Sequence, residues 1–184
     1  MKEVFLYLYI TFLGAIIGSF LNVVAYRVPR EESIVTPPSH CPHCQKRLQM
    51  LDLIPVLSWL LLKGRCRYCQ NPIFWQYPLV EAVTAGVWVL VYWRYGWSGE
   101  TLVGLLFVSF LIPLTVIDWH EWILPDRLTY PLIITTLLMR IWIREEPFWW
   151  SLAGAALGAG ILWFWLGSAP ISLARKGWGS ATSS

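Results

Sequence analysis

Charged residues are scarce in this chain. Only 14% of its 184 residues are Asp, Glu, Lys or Arg, whereas 57% are apolar and 16% are aromatic. About a quarter of the residues in an average soluble domain are charged, so the composition argues against a surface that meets mainly water. The formal net charge is only +3, and no run of Lys and Arg forms a phosphate-binding stripe. Nucleic acid is therefore not expected as a partner.

Tryptophan is abundant, with thirteen copies. Indole rings favour the membrane-water interface, and lipid is the expected partner of this surface. The stretch Val4–Tyr26 contains no charged residue and is followed by Arg27 and Arg30. Crossing a hydrocarbon layer of about 30 Å needs about 20 helical residues, more than a cleaved signal sequence uses in its apolar core. Residues 1–26 are therefore predicted to form a first transmembrane helix.

Four further apolar segments predict helices, because a backbone in lipid must satisfy its own hydrogen bonds. The fold class expected is an all-α polytopic membrane protein with about five transmembrane helices. Small residues from Gly154 to Gly160 predict close helix packing in the fifth of them. Leu53–Leu62 is too short to cross and is predicted to lie at the interface or to re-enter. The four later spans are Ile73–Trp93, Thr101–Ile117, Leu128–Ile143 and Pro147–Ala174.

The distribution of Lys and Arg predicts the orientation, since short basic loops stay on the cytoplasmic side. With the N-terminus outside, residues 27–72 form a cytoplasmic loop, residues 73–174 the transmembrane helical region, and residues 175–184 a cytoplasmic tail. Ten basic residues then lie inside and four outside. The four are Lys2, Arg94, Arg140 and Arg144.

All four cysteines fall in the predicted cytoplasmic loop, as the two CxxC pairs Cys41, Cys44 and Cys66, Cys69. Two such pairs present four thiolates to one tetrahedral ion, although the 21 residues between them slightly exceed the usual zinc-ribbon spacing. The alternatives are two disulfides or four buried thiols, and a reducing cytoplasm disfavours disulfides. The pattern predicts a zinc-ribbon-like site of structural type, because four sulfurs leave no open position.

Two histidines flank the first cysteine pair. Either His40 or His43 could replace a cysteine as a ligand. With four cysteines present, hydrogen bonding beside the site or exposure to solvent is the favoured interpretation.

Three carboxylates near the predicted spans are candidate functional groups. Asp118 stands where the third span ends, and an ionisable group at membrane depth indicates function by default, the alternative being a solvated pair with His120 or Arg127. Asp126 follows Pro125 and is interpreted as an N-terminal helix cap. Glu81 lies inside the second span, where it is expected to face the protein interior or a cleft and to help bind substrate, or else to snorkel.

Several segments in matching order resemble the type IV prepilin leader peptidases, a family of intramembrane aspartic proteases. The combination of an aspartate motif with a four-cysteine loop is what makes the resemblance specific. The segments are Gly18–Arg30, Pro38–Cys44, Leu53–Leu60, Gly64–Cys69, Tyr77–Glu81 and Ile117–Thr129.

The resemblance implies an enzyme of the bacterial inner membrane that serves type IV pili and type II secretion. It implies cleavage of the basic leader from prepilins or pseudopilins at the cytoplasmic face, followed by N-methylation of the new N-terminus with S-adenosylmethionine. Asp118 is then one of two catalytic aspartates, Asp126 belongs to the same motif, and the cysteine loop binds zinc and handles substrate. Gly18–Asn22 is linked to methylation, with no residue assigned to the cofactor.

The resemblance also implies a second catalytic aspartate in a Gly-x-Gly-Asp motif after the fifth span. Here Arg175–Gly179 begins that approach, and Ser180–Ser184 follows without an aspartate. The expectation is a C-terminally truncated member that does not cleave prepilin at a normal rate, because the dyad shares one proton between two carboxylates. The alternative function is a degenerate, non-catalytic metal-binding membrane module of a pilus or secretion assembly.

Overall fold

The computed structural model describes residues 1–143 and 148–168, and helices dominate both ranges. Within these ranges, β structure is limited to two isolated bridges, so the predicted all-α class is confirmed. The helices are α1 (Lys2–Arg27), a 3₁₀ helix (Met50–Leu53), α2 (Leu57–Leu61), α3 (Gln76–Tyr95), α4 (Gly99–Glu121), α5 (Asp126–Trp142) and α6 (Phe148–Ser168).

The chain divides into two units, with α1 to α5 in residues 1–143 and α6 in the second unit. Helix α6 by itself is an apolar helix of 21 residues that overlaps the predicted fifth span. Residues 169–174 of that span and the predicted tail, residues 175–184, lie outside the described residues.

Two of the described helices, α1 and α4, are long and apolar enough to cross a membrane. The most apolar stretch of 18 residues in each helix has a mean hydropathy of 2.1, yet only 22% of that window is buried within the structure. A core helix of a soluble protein would bury most of that window. The outward faces instead carry large apolar side chains such as Phe5, Phe12 and Leu102. These surfaces are suited to lipid.

Helix α3 begins later than predicted. The sequence places the start of the second span at Ile73, whereas the helix starts at Gln76. The reason is that the Ile73 N–H donates to the Gly64 carbonyl at 2.7 Å, which holds Ile73 in the cysteine loop rather than in the helix.

Helices α1 and α3 make the closest contact in the first unit, at Gly14 and Gly18. A Cβ built on Gly18 would lie 2.8 Å from the Cα of Glu81, and one on Gly14 would lie 2.9 Å from the Cα of Ala85. Glycines four residues apart share one helix face, which lets two backbones touch. Close packing through small residues is therefore found in α1, in addition to the packing that the sequence predicts for α6.

Two apolar clusters complete the packing of the first unit. Near the end of α1, one cluster joins α1, α4 and α5 through Val24, Ala25, Leu114, Ile117, Leu128 and Leu132. Near the start of α1, Ile10 packs on Trp88 and Tyr92 of α3. At that second end a Glu100–Arg140 ion pair joins the beginning of α4 to the end of α5. The C-termini of α1 and α4 therefore lie at one end of the bundle with the N-termini of α3 and α5.

Replacing Gly18 by Ala should destabilise the protein by about 1–3 kcal/mol, because the new methyl group would collide with the backbone of α3. Gly86→Ala is the matched control, since a Cβ at Gly86 in α3 meets nothing within 4 Å and Ala favours the helix. The measurement is the free energy of unfolding in mixed micelles. Equal stability of the two variants would contradict the contact.

Candidate functional site: a four-cysteine cluster and an acidic helix end

The two cysteine pairs form two turns of the same design. The Cys41 N–H donates to the Lys46 carbonyl at 3.0 Å, and the Cys66 N–H donates to the Asn71 carbonyl at 2.9 Å. The residue after each pair is a glutamine, and Gln45 and Gln70 both have φ of 57°. This left-handed residue turns the chain back, so that each pair of thiols faces the same point.

The four sulfurs are arranged as a metal site requires. All four Sγ atoms lie within 4.8 Å of one another, and those of Cys41 and Cys69 are 3.8 Å apart. A tetrahedral zinc with bonds of about 2.3 Å has sulfur-sulfur edges of about 3.8 Å, whereas a disulfide is about 2.05 Å long. All four cysteines are free, and Cys41 and Cys66 are buried. The residues present therefore fit a divalent ion.

The protein environment shifts the pKa values of two of the cysteine thiols in opposite directions. The backbone N–H of Cys69 donates to Cys66 and lowers the pKa of that thiol to about 7. The backbone N–H of Asn71 favours the Cys69 thiolate, yet burial and the three neighbouring sulfurs raise the pKa of Cys69 to about 11. Four negative sulfurs at this spacing need a compensating cation.

Neither histidine belongs to the ligand group found among the described residues. The Nδ1 atom of His40 lies 3.1 Å from the Pro38 carbonyl oxygen, and His43 is exposed. The geometry thus agrees with the interpretation that the two histidines are not ligands.

An ion pair, a hydrogen bond and a ring contact within the cysteine loop stabilise its conformation. Asp52 pairs with Arg67 at 2.6 Å, and its side chain is only 3% exposed. Trp59 donates from Nε1 to the Ile73 carbonyl at 3.2 Å. Its ring covers Gly64, where φ is 68° and an added Cβ would lie 2.8 Å from the ring, so only glycine fits.

Asp118 lies in the last turn of α4 and is exposed. The expected alternative, a pair with His120 or Arg127, is not formed in the described residues. His120 Nε2 instead lies 2.7 Å from Gln76 Oε1, and Arg127 lies 3.7 Å from Glu31. The carboxylate is therefore left facing outwards at the end of an apolar helix.

Asp126 is not the helix cap that the sequence suggests. It is the first residue of α5, Pro125 holds the cap position, and no side chain caps the helix. The Pro125 carbonyl itself accepts from the amides of Leu128 and Thr129, at 3.0 and 3.2 Å. The exposed carboxylate still lies at the positive end of the helix dipole, where charge is favourable.

Glu81 faces the protein interior. It is 8% exposed, and its Oε2 accepts from the Val56 N–H at 2.7 Å. Ser19 of α1 is a further side-chain partner. Asn22 is also buried and donates to the Tyr77 carbonyl at 3.1 Å. Snorkelling of Glu81 is excluded, and no local sequence signal indicated its backbone partner.

Two family profiles match nearly the whole of this arrangement. The bacterial peptidase A24 N-terminal domain matches residues 12–95, which include the glycine contact, the four cysteines and Glu81. The type IV leader peptidase family matches residues 105–181, which include Asp118 and Asp126. The chain belongs to the type IV leader peptidase family.

Curated members of the leader peptidase family are similar over most of this chain. A prepilin leader peptidase/N-methyltransferase of Myxococcus xanthus is 44% identical over 79% of this chain and 44% of its own length. That of Neisseria gonorrhoeae is 38% identical over 82% of this chain and 61% of its own. A type 4 prepilin-like proteins leader peptide-processing enzyme of Escherichia coli is 42% identical over 73% and 56%. The chain thus spans about half of these relatives, and no solved structure matches it significantly.

The purified protein should contain one zinc per chain. Cys66→Ser should reduce the zinc content to below about a tenth of an equivalent, because a tetrahedral site that loses one thiolate binds far more weakly. His40→Ala and His43→Ala are the matched controls and should retain zinc. Elemental analysis of protein purified without chelators is the measurement. Loss of zinc from a histidine variant, or two disulfides in the unmodified protein, would contradict this assignment.

Proposed function

We propose that this leader peptidase family member cleaves the basic leader from prepilins or pseudopilins at the cytoplasmic face of the inner membrane and N-methylates the new N-terminus. The observation that carries the proposal is the placement of Asp118, exposed in the last turn of an apolar helix at the end of the bundle where the cysteine loop begins and ends. The names of the curated relatives, prepilin leader peptidase/N-methyltransferase, support both activities.

The proposed peptidase chemistry uses Asp118 as one of two carboxylates that share a proton. One carboxylate acts as a base towards water and the other as an acid towards the peptide carbonyl, since two like charges so close do not both ionise. A substrate with a basic leader and an apolar helix would keep its charge in water and its helix beside α4. Its scissile bond then falls near Asp118. Asp126 has an accessory role in this proposal because it begins α5 at the same end.

Zinc and S-adenosylmethionine are the proposed cofactors. The four cysteines would hold zinc in a structural site that stabilises the loop. S-adenosylmethionine supplies the methyl group that the amino terminus receives. Gly18–Asn22 is the segment proposed for this half of the activity. Gly18 and Asn22 both pack against α3, so this segment contributes to the shape of the helix pair.

The proposed topology has five spans, with the N-terminus outside and the cysteine loop in the cytoplasm. The ten-to-four division of basic residues supports this orientation.

Fusing the C-terminal part of the Myxococcus xanthus relative to this chain should produce efficient prepilin cleavage, and Asp118→Asn should reduce the rate by about 100- to 10,000-fold. The physical reason is that Asn cannot exchange the shared proton. Glu3→Gln in the same fusion is the control, since Glu3 is exposed at the far end of α1. Leader removal followed by gel mobility is the measurement. Full activity of the Asp118→Asn fusion would refute the assignment.

The 184-residue polypeptide assayed alone should cleave prepilin far more slowly than the fusion. Its aspartates are Asp52, Asp118 and Asp126, and Asp52 is buried against Arg67. Efficient cleavage by the polypeptide alone, abolished by Asp118→Ala, would show that another carboxylate, such as that of Asp126, completes the pair, and would contradict this prediction.

Cysteines placed at Trp97 and Trp122 test the orientation. Each tryptophan is 85% exposed, and they lie in connections at opposite ends of α4. A membrane-impermeant thiol reagent added to intact cells should label Trp97→Cys and leave Trp122→Cys and the native cysteines unlabelled. After permeabilisation Trp122→Cys should react too. The reverse pattern in intact cells would overturn the orientation.

A further inference from the structure

The segment between the two cysteine pairs contains a strained turn at Val56. Val56 has φ of 60° and ψ of −49°, and the Leu57 N–H donates to the Pro55 carbonyl across it. This is a γ-turn with positive φ, a rare conformation that is costly for a β-branched residue. Such strain persists only where the surroundings hold the turn in place.

Glu81 supplies that holding contact. The turn leaves the Val56 N–H without a local acceptor, and it donates to Glu81 Oε2 at 2.7 Å. The distance is that of a well-formed hydrogen bond, and a buried N–H that loses its acceptor costs free energy. The Glu81 carboxylate is buried beside Ser19 and Gly18, and this burial fixes the position of the acceptor, because α1 and α3 touch at this level.

The strained turn is also connected to the cysteine cluster. Residues 49–62, here called the linking segment, are joined to the second cysteine pair by the ion pair of Asp52 with Arg67. Trp59 of the same segment donates to the Ile73 carbonyl just before α3 begins. The linking segment is therefore held by the cysteine cluster on one side and by Glu81 on the other.

We propose that Glu81 is a positioning residue whose buried carboxylate holds the turn at Val56 and thereby keeps the cysteine loop against α3, at the end of the bundle that carries Asp118. This role requires a hydrogen-bond acceptor at the end of a side chain as long as glutamate. It does not require the negative charge of the carboxylate. This inference rests on the proposed function only for the use of the loop in substrate handling, and its test requires no cleavage.

Three substitutions at position 81 in the 184-residue chain separate the effect of side-chain length from the effect of its negative charge. Glu81→Gln keeps an acceptor oxygen at the same reach, Glu81→Asp keeps the charge one methylene short, and Glu81→Leu removes the acceptor. Glu3→Leu is the matched control at an exposed position. The first readout is amide hydrogen exchange in the linking segment in micelles. The second is the rate at which a chelator removes zinc from the loaded protein.

The rate of amide exchange in the linking segment should rise at least about tenfold in the Asp and Leu variants, and these variants should also lose zinc faster. Both rates should stay near those of the unmodified chain in the Gln and Glu3→Leu variants. If the Leu variant does not fold, the comparison of Gln with Asp decides. Fast exchange in Gln with slow exchange in Asp would show that the charge matters and overturn the proposal. Unchanged exchange in both Asp and Leu would overturn it as well. A failure of prepilin cleavage alone would count against the proposed function and not against this inference.

Discussion

The backbone contact between α1 and α3 is the constraint on which the rest of the first unit depends. It exists because Gly14 and Gly18 lack side chains where Ala85 and Glu81 approach. A bilayer provides little hydrophobic force between helices, so close van der Waals contact must hold them together. The same approach brings Asn22 to the carbonyl of Tyr77 and encloses Glu81. Polar groups at this depth are tolerated because each has a partner inside the protein.

The contact also determines what meets at one end of the bundle. Helix α1 ends and α3 begins there, so the cysteine loop must start and finish at that end. Helix α4 ends there too. Its Glu121 pairs with Arg30, three residues after the end of α1, and its His120 contacts Gln76 of α3. A loop whose four cysteines could hold a metal ion and an exposed aspartate thus share one end of the bundle, which is the arrangement the proposed leader cleavage needs.

Much of the fold could be predicted from the sequence because lipid imposes simple rules. Apolar runs of sufficient length predicted the four long helices of the first unit to within a few residues, and two CxxC pairs predicted the sulfur cluster. The Gly14–Gly18 contact was missed because its intervening residues are apolar and the pattern depends on a partner helix. Asp126 resembled a cap, but it is already the first residue of α5, and Pro125 holds the cap position. The partner of Glu81 is a backbone N–H 25 residues away, in a turn that no local sequence signal announces.

The proposed function depends most directly on the cysteine cluster lying beside the C-terminal end of α4. Replacing the proposed zinc by paramagnetic Co²⁺ and attaching a spin label at Trp97→Cys or Trp122→Cys measures this directly. Helix α4, which separates these positions, is about 34 Å long at about 1.5 Å per residue. We expect strong relaxation enhancement of the label at position 122 and little at position 97. Equal enhancement, or a stronger effect at position 97, would contradict this expectation.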